Sequence, residues 1–161
     1  MNARIEDPRV ARIVGLFESL TPADVARLAQ FYALDVWFKD PFNDVRGVPA
    51  VQRVFAHMFE ALDEPRFVVR DVIVQGDQCF LTWDFLFRLR RFERALQTVR
   101  GGSHLRFDAQ GRVQVHRDYW DAAEELYEKL PVIGALMRWL KRRTSRGTEV
   151  RPYRSQPLRR K

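Results

Sequence analysis

The chain is poor in sulfur, poor in histidine and without a long apolar run. Its single cysteine, Cys79, excludes an intramolecular disulfide framework and fits a reducing compartment. Three scattered histidines beside that one cysteine show none of the close spacings that zinc sites use, so no metal is expected. There is no glycine-rich strand-to-helix loop. Gly101-Gly102 falls within a predicted strand, where a bulge or a close backbone approach accounts for it, so no nucleotide or other cofactor is expected. A Gly-x-Ser-x-Gly elbow is also missing, which leaves serine hydrolysis without a nucleophile. The longest apolar segments fall short of the ~18 residues that a membrane span needs. Met1 to Pro8 mixes Arg4, Glu6 and Asp7 with no apolar core, which does not read as a signal peptide. The expected location is the cytoplasm.

Basic charge is plentiful, with a formal net charge of +7 and a pI near 10.2, but it gathers at one end. Residues 138–161 hold ten of the 28 Lys and Arg and one acid, Glu149, whereas the other 137 residues hold 18 bases against 20 acids. The body is near neutral, so the high pI concerns the partners of the tail and not a basic domain face. Nucleic acid is not an expected partner, because no stacking platform accompanies the basic tail. With 161 residues, 46% hydrophobic and 12% aromatic, the chain suits one domain with a sizeable core.

Val10, Ile13, Val14, Phe17 and Leu20 follow helical spacing. Thr21 and Pro22 then read as the cap and first turn of a second helix that buries Val25, Leu28, Ala29 and Tyr32. The clearest helix runs from Val48 to Leu62, with apolar residues at 51, 54, 55, 58, 59 and 62 on one face. His57 lies beside that stripe and reads as an ordinary helix histidine. Strands are predicted at Phe67–Gln75, Gln78–Leu89, Leu96–Phe107 and Arg112–Trp120, with a short one at Val36–Lys39 between the second and third helices. Leu81, Trp83, Phe85, Phe87 and Leu89 alternate, as do Val99, Gly101, Ser103, Leu105 and Phe107, which defines one apolar face for the helices to cover.

Asp40 stands out within Phe31 to Gly47, between Trp37-Phe38 and Pro41-Phe42. Proline pushes Asp40 into an extended conformation, and the aromatics would disfavour its charged form. That pattern fits a buried general base. A strand end closed by an Asp-Pro turn fits it too.

This order of elements resembles the nuclear transport factor 2-like superfamily, and within it the ketosteroid-isomerase and polyketide-cyclase (SnoaL-like) branch. The resemblance rests on Phe31–Phe42 and on Leu105–Asp121, and covers roughly residues 8–121. It implies an α+β fold: a cone-shaped, curved antiparallel sheet wrapped by three N-terminal helices, here with an added C-terminal helix. It places the isomerase's general base on Asp40. The two oxyanion donors of that enzyme fall on Leu16 or Phe17 and on Ser103, so familiar steroid isomerisation is not expected, since one lost donor costs about 3 kcal/mol. Arg106 and Asp108 imitate the spacing of an epoxide hydrolase, but Asp108 belongs to a turn. The resemblance also points His116, Asp118 and Trp120 into the pocket, with His116 as acid or hydrogen-bond donor and Asp118 orienting it. The alternative is a satisfied polar patch at the rim. Val113 and Val115 lie out of phase with these residues, a conflict that a bulge would resolve. Asp40, His116 and Asp118 are thus the candidate catalytic residues, and Leu16, Phe17, Phe42, Phe55, Phe59, Ser103 and Trp120 the candidate substrate contacts.

Beyond Trp120, acids open and bases close a predicted amphipathic helix over 122–143, with a basic tail over 144–161 whose composition predicts disorder. The domain expectation is therefore 1–121, 122–143 and 144–161. An anionic membrane surface is the partner that residues 132–161 would suit, and the location would then be peripheral to a membrane. A homodimer is the default assembly of the superfamily. Two functional readings stand: a cofactor-independent isomerase, cyclase or hydrolase acting on a hydrophobic small molecule with Asp40 as base, and a non-catalytic binder of lipid-like ligands.

Overall fold

Asp7 caps α1 (Pro8–Ser19), its Oδ1 accepting from the backbone N–H groups of Arg9 and Val10 at 2.9 and 3.4 Å, with proline in the first turn where no donor is required. The computed structural model describes residues 5–89 and 95–122. Helix α1 buries Val10, Ile13, Val14, Leu16 and Phe17, as the spacing predicts.

The second helix is shorter than expected. Helix α2 covers only Pro22–Val25, a 3-10 turn follows at Leu28–Gln30, and Tyr32 opens a strand. Val25 and Leu28 are buried, but Ala29 is exposed. Other side chains take the carbonyls that a continuing helix would use. Gln52 Nε2 donates to Val25 O and Ala26 O at 3.0 and 3.3 Å, and Arg12 Nη2 donates to Gln30 O at 2.6 Å. Tyr32 instead pairs with Val113.

Six strands form one sheet: β1 (Tyr32–Lys39), β2 (Asp44–Arg46), β3 (Leu62–Gln75), β4 (Gln78–Leu89), β5 (Gln97–Phe107) and β6 (Val113–Tyr119), in the order β2-β1-β6-β5-β4-β3. The meander β3 to β6 is antiparallel as expected, while β1 and β6 run parallel. A parallel pair requires a long crossover, which α3 (Val48–Ala61) and the meander supply. Helix α3 ends one residue early, and Leu62 already belongs to β3. The strand begins five residues before the expected Phe67 and takes in Pro65. The register slips there, between Asp63 and Arg66, with Glu64 at φ 52°, which lets the strand carry a proline that cannot donate. The three-residue β2 has no periodicity to read.

Val51 and Phe55 of α3 meet the α1 stripe and the alternating Leu81, Trp83, Phe87, Val99 and Leu105 of β4 and β5 in one core. The architecture is α+β, a curved open sheet with helices against one face. The expectations for the added helix, the basic tail and the membrane contact fall on residues 123–161, outside the described residues. Among the described residues no helix is long and apolar enough to cross a membrane, and no cluster of three or more His, Cys, Asp or Glu is placed to hold a metal ion.

Candidate functional site in the cone

A cavity of about 440 Å³ lies between α1, α3 and the sheet, a size typical of small-molecule sites. Nine aromatic rings line it, among them Phe17 of α1, Phe55 of α3 and Phe67, Trp83 and Phe85 of the sheet. Phe67 stacks on Phe85 at 4.5 Å and meets Trp83 edge-on at 5.4 Å.

One row of polar groups crosses this apolar lining. The register places Ser103 of β5 opposite Asp118 of β6, and His116 beside Phe38 of β1. Trp83 Nε1 donates to Ser103 Oγ at 2.8 Å, Ser103 Oγ donates to Asp118 Oδ1 at 2.5 Å, His116 Nε2 meets the same Oδ1 at 2.8 Å, and His116 Nδ1 meets the Tyr32 hydroxyl at 2.9 Å. Ser103, Tyr32 and His116 are almost wholly buried. The direction of each hydrogen follows from what each group is able to do. Indole only donates, so Ser103 accepts from Trp83 and has one hydrogen left, for Asp118. Burial, with a smaller contribution from the charge of Asp118, holds the Tyr32 phenol well above its usual range, so it keeps its hydrogen. The Asp118 carboxylate only accepts, so a neutral imidazole turns Nε2–H to it and takes the Tyr32 hydrogen at Nδ1. His116 is then the Nε2–H tautomer and donates to Asp118. Every hydrogen in the row points towards Asp118 Oδ1, and Oδ2 accepts none from the described residues.

Gly101 makes the Trp83 position accessible. A Cβ there would stand 2.8 Å from Cζ2 of the indole, so only glycine lets the ring lie across β5 with Nε1 aimed at Ser103. The phase of β6 depends on a bulge. Arg106 pairs with Val115, but Phe107 pairs with Val113, which leaves Gln114 as the extra residue. Val113 is therefore buried, Gln114 is exposed, and His116 and Asp118 turn inward with Trp120.

Asp40 has a different environment from the one its neighbours in sequence imply. It lines the cavity, half-buried, but its Oδ1 accepts from the backbone N–H groups of Phe42 and Asn43 at 2.7 and 2.6 Å, and both its oxygens accept from Asn43 Nδ2. This is a closed Asx turn. Of the aromatics around it in sequence, Trp37 donates to Asp44 at 2.7 Å and does not line the cavity, whereas Phe38, packed on His116 at 4.8 Å, and Phe42, 56% exposed and edge-on to Trp120 at 5.4 Å, both do.

Of the candidate contacts, Phe17, Phe42, Phe55, Ser103 and Trp120 line the cavity with Asp40, His116 and Asp118. Leu16 and Phe59 do not. Leu16 is buried within the core, and Phe59 packs against it from α3. Asp108 closes the β5–β6 turn by accepting from the N–H groups of Gln110 and Arg112. His104 meets Gln78 at 2.9 Å and takes no part in the row. Sequence reasoning missed Tyr32 and Trp83. The signal available was chemical, since a buried tyrosine or tryptophan needs a partner for its polar hydrogen.

Several solved structures share this fold. A protein assigned as a polyketide cyclase from Acidithiobacillus ferrooxidans superposes with a TM-score of 0.68 at 15% identity, covering 81% of this chain and 99% of its own. A protein of ketosteroid isomerase-like fold from Catenulispora acidiphila, solved in complex with trimethylamine, gives 0.63 at 13% identity, covering 74% and 89%. TerC, co-crystallised with polyporic acid, gives 0.63 at 17% identity, covering 73% and 95%. A search among curated proteins finds no match. At such identities these structures speak for the fold alone. The sequence itself carries the family: residues 13–116, from the α1 stripe to the buried His116, match the model of the SnoaL-like domain, and the chain belongs to the SnoaL-like domain family.

Proposed function

We propose that this protein takes a hydrophobic small molecule into the cone and acts on it without a cofactor, with Asp118 as the proton acceptor. His116 and Ser103 hold the acceptor in place, and Tyr32 sets the tautomer of His116. The observation that carries the reading is the state of the Asp118 carboxylate: two buried donors fix one oxygen, while the other accepts nothing from the described residues at an aromatic cavity. A base held in one orientation and left unsatisfied on one side is what proton abstraction requires. Asp40, whose oxygens close a turn, belongs to the rim in this reading. Neighbours of the same fold that hold trimethylamine and polyporic acid support a small organic ligand.

The test follows the hydrogens next to the carbonyl in a panel of hydrophobic ketones, by NMR in deuterated water. Wild type should exchange them above the buffer rate, Asp118→Asn should not, and Asp40→Asn should retain the activity. Binding without exchange in wild type would remove the catalytic reading. A second reading, a non-catalytic binder, is favoured by a specific observation: the hydrogens of Ser103 and His116, the groups available to stabilise a developing oxyanion, both go to Asp118. A homodimer through the outer sheet face, where Ile73, Phe80 and Tyr119 are exposed, belongs to the same proposal and is read by sedimentation.

A further inference from the structure

The chemistry that the cone offers is one-sided. Among the described residues, no lysine or arginine lines it, and its two charged groups are Asp40 and Asp118. The donors are already committed: Trp83 to Ser103, Ser103 and His116 to Asp118, and Asn43 to Asp40. The side-chain donors left over sit at the edge. His57 is exposed on α3, and Trp120 lines both the cavity and the outer cleft beside it. What remains is acceptor capacity, at Oδ2 of Asp118, a residue that lines the aromatic cone and, with Asp40 and Trp120, the outer cleft where Lys39 and Arg117 sit. A carbonyl or carboxylate ligand would bring more acceptors to a place without free donors, and would leave them unpaired on burial.

We propose that the cone selects protonated hydrophobic amines, with the ammonium N–H donating to Asp118 Oδ2 and the apolar body lying on the surrounding rings. A charge-assisted hydrogen bond offsets the loss of hydration at the ammonium, and ring faces attract the cation through their quadrupoles. The ligand supplies the one element missing from the cavity, a positive hydrogen. The inference rests on the second reading of the cone, a non-catalytic small-molecule binder, and deepens it by naming the ligand class, since an ammonium held on Oδ2 and proton abstraction by that oxygen exclude each other.

Three probes of similar shape test it on the full chain: benzyldimethylamine, its uncharged carbon isostere isobutylbenzene, and phenylacetate. Titrations followed by calorimetry and by amide shifts around the cavity should show the amine binding about tenfold or more tighter than the isostere, the difference expected of one charge-assisted contact, and phenylacetate the weakest. Asp118→Asn should erase the advantage of the amine and leave the isostere unchanged. The probe comparison within wild type holds even if that variant fails to fold. Equal affinity for amine and isostere, or tighter binding of phenylacetate, overturns the inference while the pocket reading stands. Failure of every probe, the uncharged one included, to shift any cavity amide overturns both.

Discussion

Ser103 and Asp118 face each other across β5 and β6 and share one hydrogen, with Ser103 Oγ donating to Asp118 Oδ1 over 2.5 Å. The same hydroxyl accepts from Trp83, so one side chain links the indole to the carboxylate. Ser103→Ala strands a buried indole N–H, and the expected cost is about 1–3 kcal/mol in urea denaturation. Adding Trp83→Phe removes the stranded donor. The double variant should therefore be more stable than the sum of the single changes, and strict additivity would show that the two groups do not interact.

Tyr32→Phe deletes the hydrogen held by His116 Nδ1 and leaves the ring packing in place. In wild type, nitrogen chemical shifts should report His116 as the Nε2–H tautomer. The variant should show a mixture of tautomers or a changed Nδ1 shift. A wild-type spectrum with the proton on Nδ1 would reverse the two bonds made by the His116 ring, while the Trp83–Ser103 bond, whose indole can only donate, would keep its direction.

Asp40 distinguishes a turn from a base. Asparagine keeps an oxygen for the N–H groups of Phe42 and Asn43, whereas alanine keeps none. Asp40→Asn should cost under about 0.5 kcal/mol and Asp40→Ala about 1 kcal/mol, on the scale of a net hydrogen bond. Thermal or urea unfolding reads both. An asparagine variant as damaged as the alanine one would mean that the charge itself is required.

Alkali should destabilise the fold. Burial pushes the Cys79 thiol up to about 12, and burial also raises the Tyr32 phenol. Between the ordinary thiol value of about 8.5 and the raised one, the unfolded chain releases a proton that the folded chain keeps, so stability falls as pH rises. It is fully present below the ordinary value, and Tyr32 acts with the same sign above about 10. Urea midpoints should decline across this window, and Cys79→Ala should flatten the first part of the decline. Because Cys79 is the sole cysteine, reaction with a thiol reagent should also wait for unfolding.

Periodicity made most of the scaffold legible. The α1 stripe, the α3 face and the alternating residues of β4 and β5 each repeat often enough for burial to imprint a pattern, and all three appear as expected. Tyr32 was misplaced because Thr21-Pro22 is a true helix start, while the stop is made by Gln52 and Arg12 from elsewhere in the chain. Side chains distant in sequence cannot be read from a local window.

The site was legible as a set of residues and not as an arrangement. His116, Asp118 and Ser103 follow from strand phase once a bulge is admitted. The environment of Asp40 follows only in part: Phe38 and Phe42 do line the cone with it while Trp37 does not, but its oxygens are taken by the N–H groups of Phe42 and Asn43 and by the Asn43 amide. Local turn bonds of this kind are set by the fold of residues 40–43, which aromatic content does not reveal.

The extra residue at Gln114 makes the identity of the site a question of parity. Were β6 to run on from the Val113–Phe107 pair with Gln114 kept and no bulge, the same amino acids would continue along the strand with their faces exchanged. Arg117 and Tyr119 would then enter the cone, and His116 and Asp118 would leave it. A cationic lining would replace an anionic one with no change of side chain, so one residue inserted between the bulge and His116 would switch the ligand chemistry, whereas deletion of Gln114 would straighten the strand and keep His116 and Asp118 inward.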